Sequence, residues 1–257
     1  MPGNEKDVAR FLVLNKGRIS LDQIGSVMAV GAPGQAEGSY VEIPTERDVD
    51  ILLAAEDSRK KADIYINGKG VSVKQAGASF SYNRLQRANI LEVFRILGFD
   101  NPEALLHNLD KEVRNFHAGN LPRRNRPWRN FFSEQDFKTL VKFLMVQGSP
   151  NVGFSAHQAE FIIEAPSHGI AAENIKVYTF DEYFDQYKDS LMIAIRRQWI
   201  GQESDSEHNR AVGLAGKAAN APWVFNNVVG VPRNGWRQGF PAQDRKTVYF
   251  LMIEKTA

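Results

Sequence analysis

The sequence predicts an α/β (α+β) protein with a central mixed β-sheet flanked by helices, and three observations carry that expectation. Helical apolar spacing dominates the first half of the chain, short strand-like runs dominate the second, and a β-hairpin pattern lies between them. In chain order, "NEKDVARFLVL" reads as a short amphipathic helix and "SLDQIGSVMAVGA" as another, with Ser20 as its N-cap. "TERDVDILLAAEDSRKK" carries Thr45 as a cap and Val49, Leu52 and Leu53 at helical spacing. After the hairpin, "NRLQRANILEVFRILGF" places Leu85, Ile90, Leu91, Phe94 and Leu97 on a helical pattern. "FSEQDFKTLVKFLMVQ" is the clearest helix, capped by Ser133 with Asp136 three residues on. Strands are expected at "AEFIIEA", "IKVYTF", "LMIAIRRQWI", "PWVFNNVV" and "TVYFLMIEK", with a helix at "EHNRAVGLAGKAAN".

At 257 residues, 43% hydrophobic and 24% charged, the chain has enough material for a full core. The reading is one domain over 1–257, with 1–146 carrying the hairpin and 147–257 a strand-rich part; 147–158 is where a boundary between two lobes would fall. A formal charge of +2 says nothing about nucleic acid by its sum, so such a role must rest on where the charges lie. Without cysteine there is no disulfide, no thiol nucleophile and no Cys-ligated zinc. No run of 18 apolar residues occurs and the N-terminus lacks a signal-like apolar stretch, so a soluble, cytoplasmic protein is expected.

The hairpin is "KKADIYINGKGVSVKQ", residues 60–75. Ile64, Ile66, Val71 and Val73 alternate with Asp63, Tyr65, Ser72 and Lys74, so one face is aliphatic and the other polar. Asn-Gly at 67–68 is a strong turn signal. With Ile66 opposite Val71, Asp63 faces Lys74; with a two-residue Asn-Gly turn, Asp63 faces Ser72. In both registers Asp63, Tyr65, Ser72 and Lys74 share a face, with cross-strand Cβ atoms roughly 4.5–5.5 Å apart. A surface ion pair is the ordinary account of such a face. Its chemical account is phosphodiester hydrolysis: a carboxylate at 63 can hold a divalent cation, and a lysine beside it can offset charge at phosphorus.

"ADIYINGKGVSVKQ" resembles the Asp…(Asp/Glu)-x-Lys core of the PD-(D/E)xK nucleases. "QAGASFSYNRLQ", with "NNVVGVPRNGW" followed by "RKTVYFLMIEK", is similar to type II restriction endonucleases, particularly the MspI-like branch. The likeness covers residues 45–100 and, more loosely, the C-terminal third. It implies a restriction-endonuclease-like fold and Mg²⁺-dependent, site-specific cleavage of double-stranded DNA. A monomer or homodimer and a cognate DNA methyltransferase in the same cell follow from it. By the same resemblance Asp63 binds metal, Lys74 is the catalytic lysine and the Val73 carbonyl is a metal ligand. Ser72 departs from the pattern, standing where most of the family has Glu or Asp. That favours one metal, with Glu42, Glu46 or Asp50 as acids that could compensate. Two other readings remain: a related nuclease of repair or phage origin, and a DNA-binding protein on the same scaffold without catalysis.

For DNA contact, "RNFHAGNLPRRNRPWRN" (114–130) offers Arg114, Arg123, Arg124, Arg126 and Arg129 with Trp128 and no acid, a pattern suited to phosphates. "VPRNGWRQGFPAQDRK" (231–246) offers Arg233, Asn234, Arg237, Gln238, Gln243 and Arg245; arginine reads guanine, and Asn or Gln reads adenine. "SFSYNRLQR" (79–87) adds Ser79, Asn83, Arg84 and Gln86, with Leu85 in the core. The five histidines show no zincin-like pairing, and His157 is the one that could assist a cut. Neither a P-loop nor a Gly-x-Ser-x-Gly elbow occurs.

Overall fold

The computed structural model describes residues 4–54, 60–77 and 81–256, and of 81–83 the backbone alone. Helix α1 (Glu5–Leu14) forms as expected and buries Val8, Ala9, Leu12 and Val13. The helix expected over 20–32 does not form. Strands β1 (Ser20–Leu21) and β2 (Gly25–Ser26) make a small antiparallel pair, and β3 (Val30–Pro33) follows. Gln23 and Gly25 take φ of 62° and 83°, which a right-handed helix cannot contain. Leu21, Ile24, Val27 and Val30 are all buried, so their three-residue spacing serves a tight turn between extended segments.

Strand β4 (Tyr40–Glu42) pairs antiparallel with β3. Thr45 then starts a helix as expected, its backbone N–H and hydroxyl both donating to Asp48 Oδ2. That helix is short: a 3-10 turn (Glu46–Asp48) leads into α2 (Val49–Leu52), and residues 55–59 of the expected run lie outside the described residues. Strands β5 (Ile64–Ile66) and β6 (Lys69–Gln75) form the hairpin. Strand β7 (Ser81–Leu85) takes residues assigned by pattern to a helix, so α3 (Arg87–Ile96) begins at Arg87 instead of Asn83.

Helix α4 (Pro102–His117) was not foreseen, although Pro102 at its first turn and the buried Leu106, Leu109, Val113 and Phe116 are regular helix signals. Arg114 is therefore helical rather than part of a basic loop. Strand β8 (Asn125–Pro127) is followed by α5 (Glu134–Lys142), which widens into a π turn over Phe143–Gln147. At its start, Ser133 Oγ donates to Asp136 Oδ2 and accepts from Asp136 N–H.

The 147–158 segment folds as a small hairpin of β9 (Gly148–Ser149) and β10 (Gly153–Phe154). Strands β11 (Phe161–Ala165) and β12 (Lys176–Thr179) fall where expected. They precede an unforeseen α6 (Phe180–Tyr187), boxed by Thr179 and Glu182. Strand β13 (Leu191–Ile200) and helix α7 (Asp205–Ala215) follow the sequence pattern. "PWVFNNVV" yields only β14 (Val224–Phe225), because a 3-10 stretch (Ala218–Trp223) takes its start. The last strand is β15 (Lys246–Lys255).

Two compact units result, each drawing on separate stretches of chain. Described residues within Met1–Phe80, Val141–Ser190 and Lys255–Ala257 make one; Ser81–Leu140 and Leu191–Glu254 make the other. The first holds a mixed six-stranded sheet in the order β12-β11-β6-β5-β3-β4, in which β11 runs parallel to β6 and the other pairs are antiparallel. One face of this sheet presents Ile64, Ile66, Val71, Val73, Ile163, Ala165 and Val177 to a core shared with the apolar side of α1. The second unit holds a five-stranded sheet, β14-β15-β13-β8 with β7 also on β15. On one side Val248 and Phe250 pack against Ala211 and Leu214 of α7.

Candidate active site

The hairpin turn uses two residues, with Asn67 and Gly68 at φ of 51° and 81°, the pair of left-handed residues a type I′ turn requires. The Asn67 side chain accepts from the Met28 and Ala29 N–H groups and donates to Ser26 O, which fixes the turn from outside. Ile64 pairs with Val71 and Tyr65 with Gly70, so Asp63 stands opposite Ser72, as the second of the two registers requires. A Cβ on Gly70 would lie 2.4 Å from the Gln158 carbonyl oxygen, so only glycine admits that backbone beside Tyr65.

On the polar face three side chains converge. Asp63 Oδ2 accepts from the Val73 N–H at 2.7 Å and from Ser72 Oγ at 3.2 Å. Lys74 Nζ donates to Ser72 Oγ at 2.7 Å and to Val73 O at 3.2 Å, and lies 3.9 Å from Asp63 Oδ2. Ser72 is only 1% exposed, whereas Asp63 and Lys74 are part-buried, so the charged ends meet solvent while the hydroxyl between them does not. Among the described residues, no hydrogen bond occupies Asp63 Oδ1.

Further groups complete this face: Tyr65, as the alternation requires, His157, and two that the sequence pattern does not single out, Lys61 and Glu164. Lys61 is buried and donates to Leu144 O of the π turn at 2.9 Å. Burial, and then the charge of Lys74, push its ammonium down to about 8, with Asp63 pulling the other way. Tyr65 OH lies 2.9 Å from His157 Nδ1, and its ring stacks on Tyr40; burial, and then Glu160, hold its hydroxyl above the ordinary range. His157 is thus a buried partner of Tyr65, and its carbonyl accepts from the Lys61 and Ala62 N–H groups.

Glu164 stands beside Lys74 in the parallel register of β11 on β6. Its carboxylate is buried and held by Lys255 Nζ at 3.1 Å and by Tyr187 OH at 2.6 Å, which leaves it no role as a free acid. Burial and that carboxylate together raise the Tyr187 hydroxyl. A glutamate in the apolar run "AEFIIEA", on the side away from Ile163, was the available signal.

The acids expected to compensate for Ser72 do not come to this face. Asp50 is exposed and paired with Arg10 and Lys6 of α1, which packs on the aliphatic side of the sheet, and Glu42 is paired with Lys16. Glu46 is exposed in the 3-10 turn. No cluster of three or more His, Asp or Glu able to hold a metal occurs among the described residues. The donors present are one carboxylate (Asp63), the Val73 carbonyl and the Ser72 hydroxyl. That set fits Mg²⁺, which keeps several waters and is held by one or two carboxylates together with substrate phosphate oxygens. It does not fit two closely bound ions.

The residues expected to touch DNA are dispersed, and several are otherwise engaged. Ser79 lies outside the described residues, as does the side chain of Asn83. Arg84 lies over the Phe250 ring, Gln86 accepts from Lys217 Nζ, and Arg126 is bound to Glu112. In the 231–246 connection, Arg237 donates to Asp205 and Arg245 lies over the Trp236 ring, so both brace the loop. Arg233, Asn234, Gln238 and Gln243 remain exposed there, and Arg123 and Arg124 are exposed before β8.

No family model matches the chain, and no curated protein does. Among solved structures it is similar to restriction endonuclease MspI in complex with its cognate DNA, with a TM-score of 0.27 and 10% identity over 77% of this chain and 67% of that one. A likeness of that size assigns no role to any residue here. No helix among the described residues is long and apolar enough to cross a membrane.

Proposed function

We propose that this chain is a Mg²⁺-dependent, site-specific endonuclease of double-stranded DNA, working in the cytoplasm as a type II restriction enzyme beside a cognate methyltransferase. The observation that carries the reading is the Asp63–Ser72–Lys74 cluster. A carboxylate with one oxygen unbonded among the described residues and an ammonium stand 3.9 Å apart on a part-exposed sheet face, linked through one buried hydroxyl. A plain surface ion pair needs no such buried link.

Asp63 and the Val73 carbonyl would hold the ion, which supplies a more acidic bound water and neutralises charge on the phosphate. The Val73 N–H fixes one oxygen of the Asp63 carboxylate, and the second would bind the ion. Lys74, oriented by Ser72, offsets the charge that grows on the phosphorus oxygens as water attacks. Ser72 does this while adding no charge of its own.

The test is digestion of a long mapped DNA with and without Mg²⁺, alongside Lys74→Ala. Discrete Mg²⁺-dependent fragments, slowed about 10²–10³-fold in the variant, are expected. A smear would replace the restriction reading with a nuclease of looser sequence demands. Binding without any cleavage would leave only a DNA-binding protein.

A further inference from the structure

In the second unit, β8 pairs with β13 only from Met192 to Ala194, and the Ile195 N–H still reaches Arg124 O at 2.9 Å. Beyond that point β13 runs on without β8, and a cavity of about 250 Å³ opens, lined by Phe116, Arg124, Ile195, Arg196 and Arg197. Three arginines thus contribute to the lining of one pocket, and Arg196 and Arg197, consecutive on β13, send their side chains to opposite faces of the sheet. Among the described residues a single carboxylate answers them: Glu254, 6% exposed, binds Arg196 directly and lies 3.6 Å from Arg124. Arg197 is held differently, over the Phe116 ring at 4.7 Å and donating to Val229 O at 2.8 Å. Gly230, at φ of 94°, lets that turn approach, since a Cβ there would lie 3.3 Å from Arg197 NH1.

We infer that this pocket is an anion site for a phosphate group, and that in the protein's work it takes a backbone phosphodiester of DNA. With Glu254 neutralising Arg196, Arg124 and Arg197 leave a formal excess of two at a cavity with an aromatic wall. Guanidinium forks match phosphate oxygens in pairs. Arg197 is set in place before any ligand arrives, which lowers the ordering cost of binding. Arg124, 48% exposed and 3.6 Å from Glu254, would turn from that carboxylate to the anion. The choice of DNA as the phosphate's source rests on the function proposed above; the pocket's charge does not.

The test is fluorescence-anisotropy titration of duplex DNA over a salt series in EDTA, so that binding is read without cleavage. Arg124→Gln and Arg197→Gln are compared with the unaltered chain, and thermal unfolding checks that each is folded. Each substitution is expected to weaken binding roughly tenfold and reduce the log–log salt slope by about 0.9, equally for specific and scrambled duplexes. An unchanged slope in folded variants overturns the inference, and a loss confined to one sequence makes these arginines base readers instead. Arg124→Gln, at an exposed position, stands as the deciding variant should Arg197→Gln not fold.

A second arm adds inorganic phosphate at constant ionic strength. Phosphate that stabilises the chain while duplex affinity ignores both substitutions would assign the pocket to a small phosphate ligand and overturn the DNA assignment. Mg²⁺-dependent cleavage with unaltered salt slopes would sink the pocket alone; tight, salt-dependent binding without cleavage would sink the hydrolytic reading alone.

Discussion

Replacing Ser72 by aspartate puts an acid where the PD-(D/E)xK pattern carries one, and the geometry says what it should do. Ser72 Oγ lies 3.2 Å from Asp63 Oδ2, so a carboxylate at 72 would stand close against a second one in a nearly buried position. Two unit charges 4 Å apart repel by about 4 kcal/mol at an effective dielectric of 20. Lys74, 2.7 Å from the Ser72 oxygen and 3.9 Å from Asp63, returns part of that. We expect Ser72→Asp to cost about 2–4 kcal/mol without metal at neutral pH, lowering Tm by about 2–4 °C for each. The deficit shrinks as pH falls, because repulsion raises the pKa of one carboxyl and protonation removes the charge. Mg²⁺ reverses it: at 100 times Kd, binding adds about 2.7 kcal/mol, and the paired carboxylates bind more tightly than the single one. The assay is thermal unfolding in EDTA and in a Mg²⁺ series, for both chains. If Ser72→Asp is as stable as the original in EDTA and gains no more from Mg²⁺, residues 63 and 72 do not share an ion, and the placement of the metal is wrong.

Two further predictions concern stability. Glu164→Gln removes the carboxylate from a pair whose side chains are 4% and 11% exposed, and should cost about 3–5 kcal/mol in denaturant unfolding, with Glu164→Gln/Lys255→Met recovering much of it; equal losses in both would refute the pairing argument. Tyr249, buried against His117 Nδ1, has its hydroxyl pushed up to about 12 from 10.0, by burial. Its folded pKa exceeds the unfolded one, so its contribution is complete below pH 10 and lost between pH 10 and 12. The loss is on the order of 3 kcal/mol. Tyr249→Phe should flatten that alkaline decline relative to the original chain, and parallel pH profiles would refute it.

The hairpin was legible because everything it needs is local. An Asn-Gly turn sets a two-residue loop, alternation fixes the faces, and Asp63, Ser72 and Lys74 come together from strands joined by that turn. Lys61 and Glu164 were not legible as neighbours. Lys61 enters through a hydrogen bond to the π turn, and Glu164 through parallel pairing of β11 with β6 across a long crossover. The 20–32 segment misled because three-residue apolar spacing fits a helix and also a tight turn between buried strands. Helix α4 carried its signals openly, yet its last turn, from Arg114, also belongs to the arginine-rich pattern of 114–130, which masks the helix end.

Ser72 also bears on charge, and so on the order in which ligands reach the site. Glu164 and Lys255 cancel as a buried pair, which leaves Asp63, Lys74 and Lys61 around Ser72, with Glu160 farther along the face beside Tyr65. Lys61 still carries its proton at neutral pH, since its pKa stays near 8. Around Ser72 those three sum to +1, whereas an acid at 72 would bring the sum there to zero. A face with a positive excess attracts a phosphodiester before any cation arrives, and a bound phosphate then supplies the oxygen ligands that a lone Asp63 lacks. On the proposed function, metal binding and DNA binding are therefore positively coupled: Mg²⁺ should bind weakly to the free chain and tightly to the DNA complex. By linkage Mg²⁺ must then tighten DNA binding by the same factor.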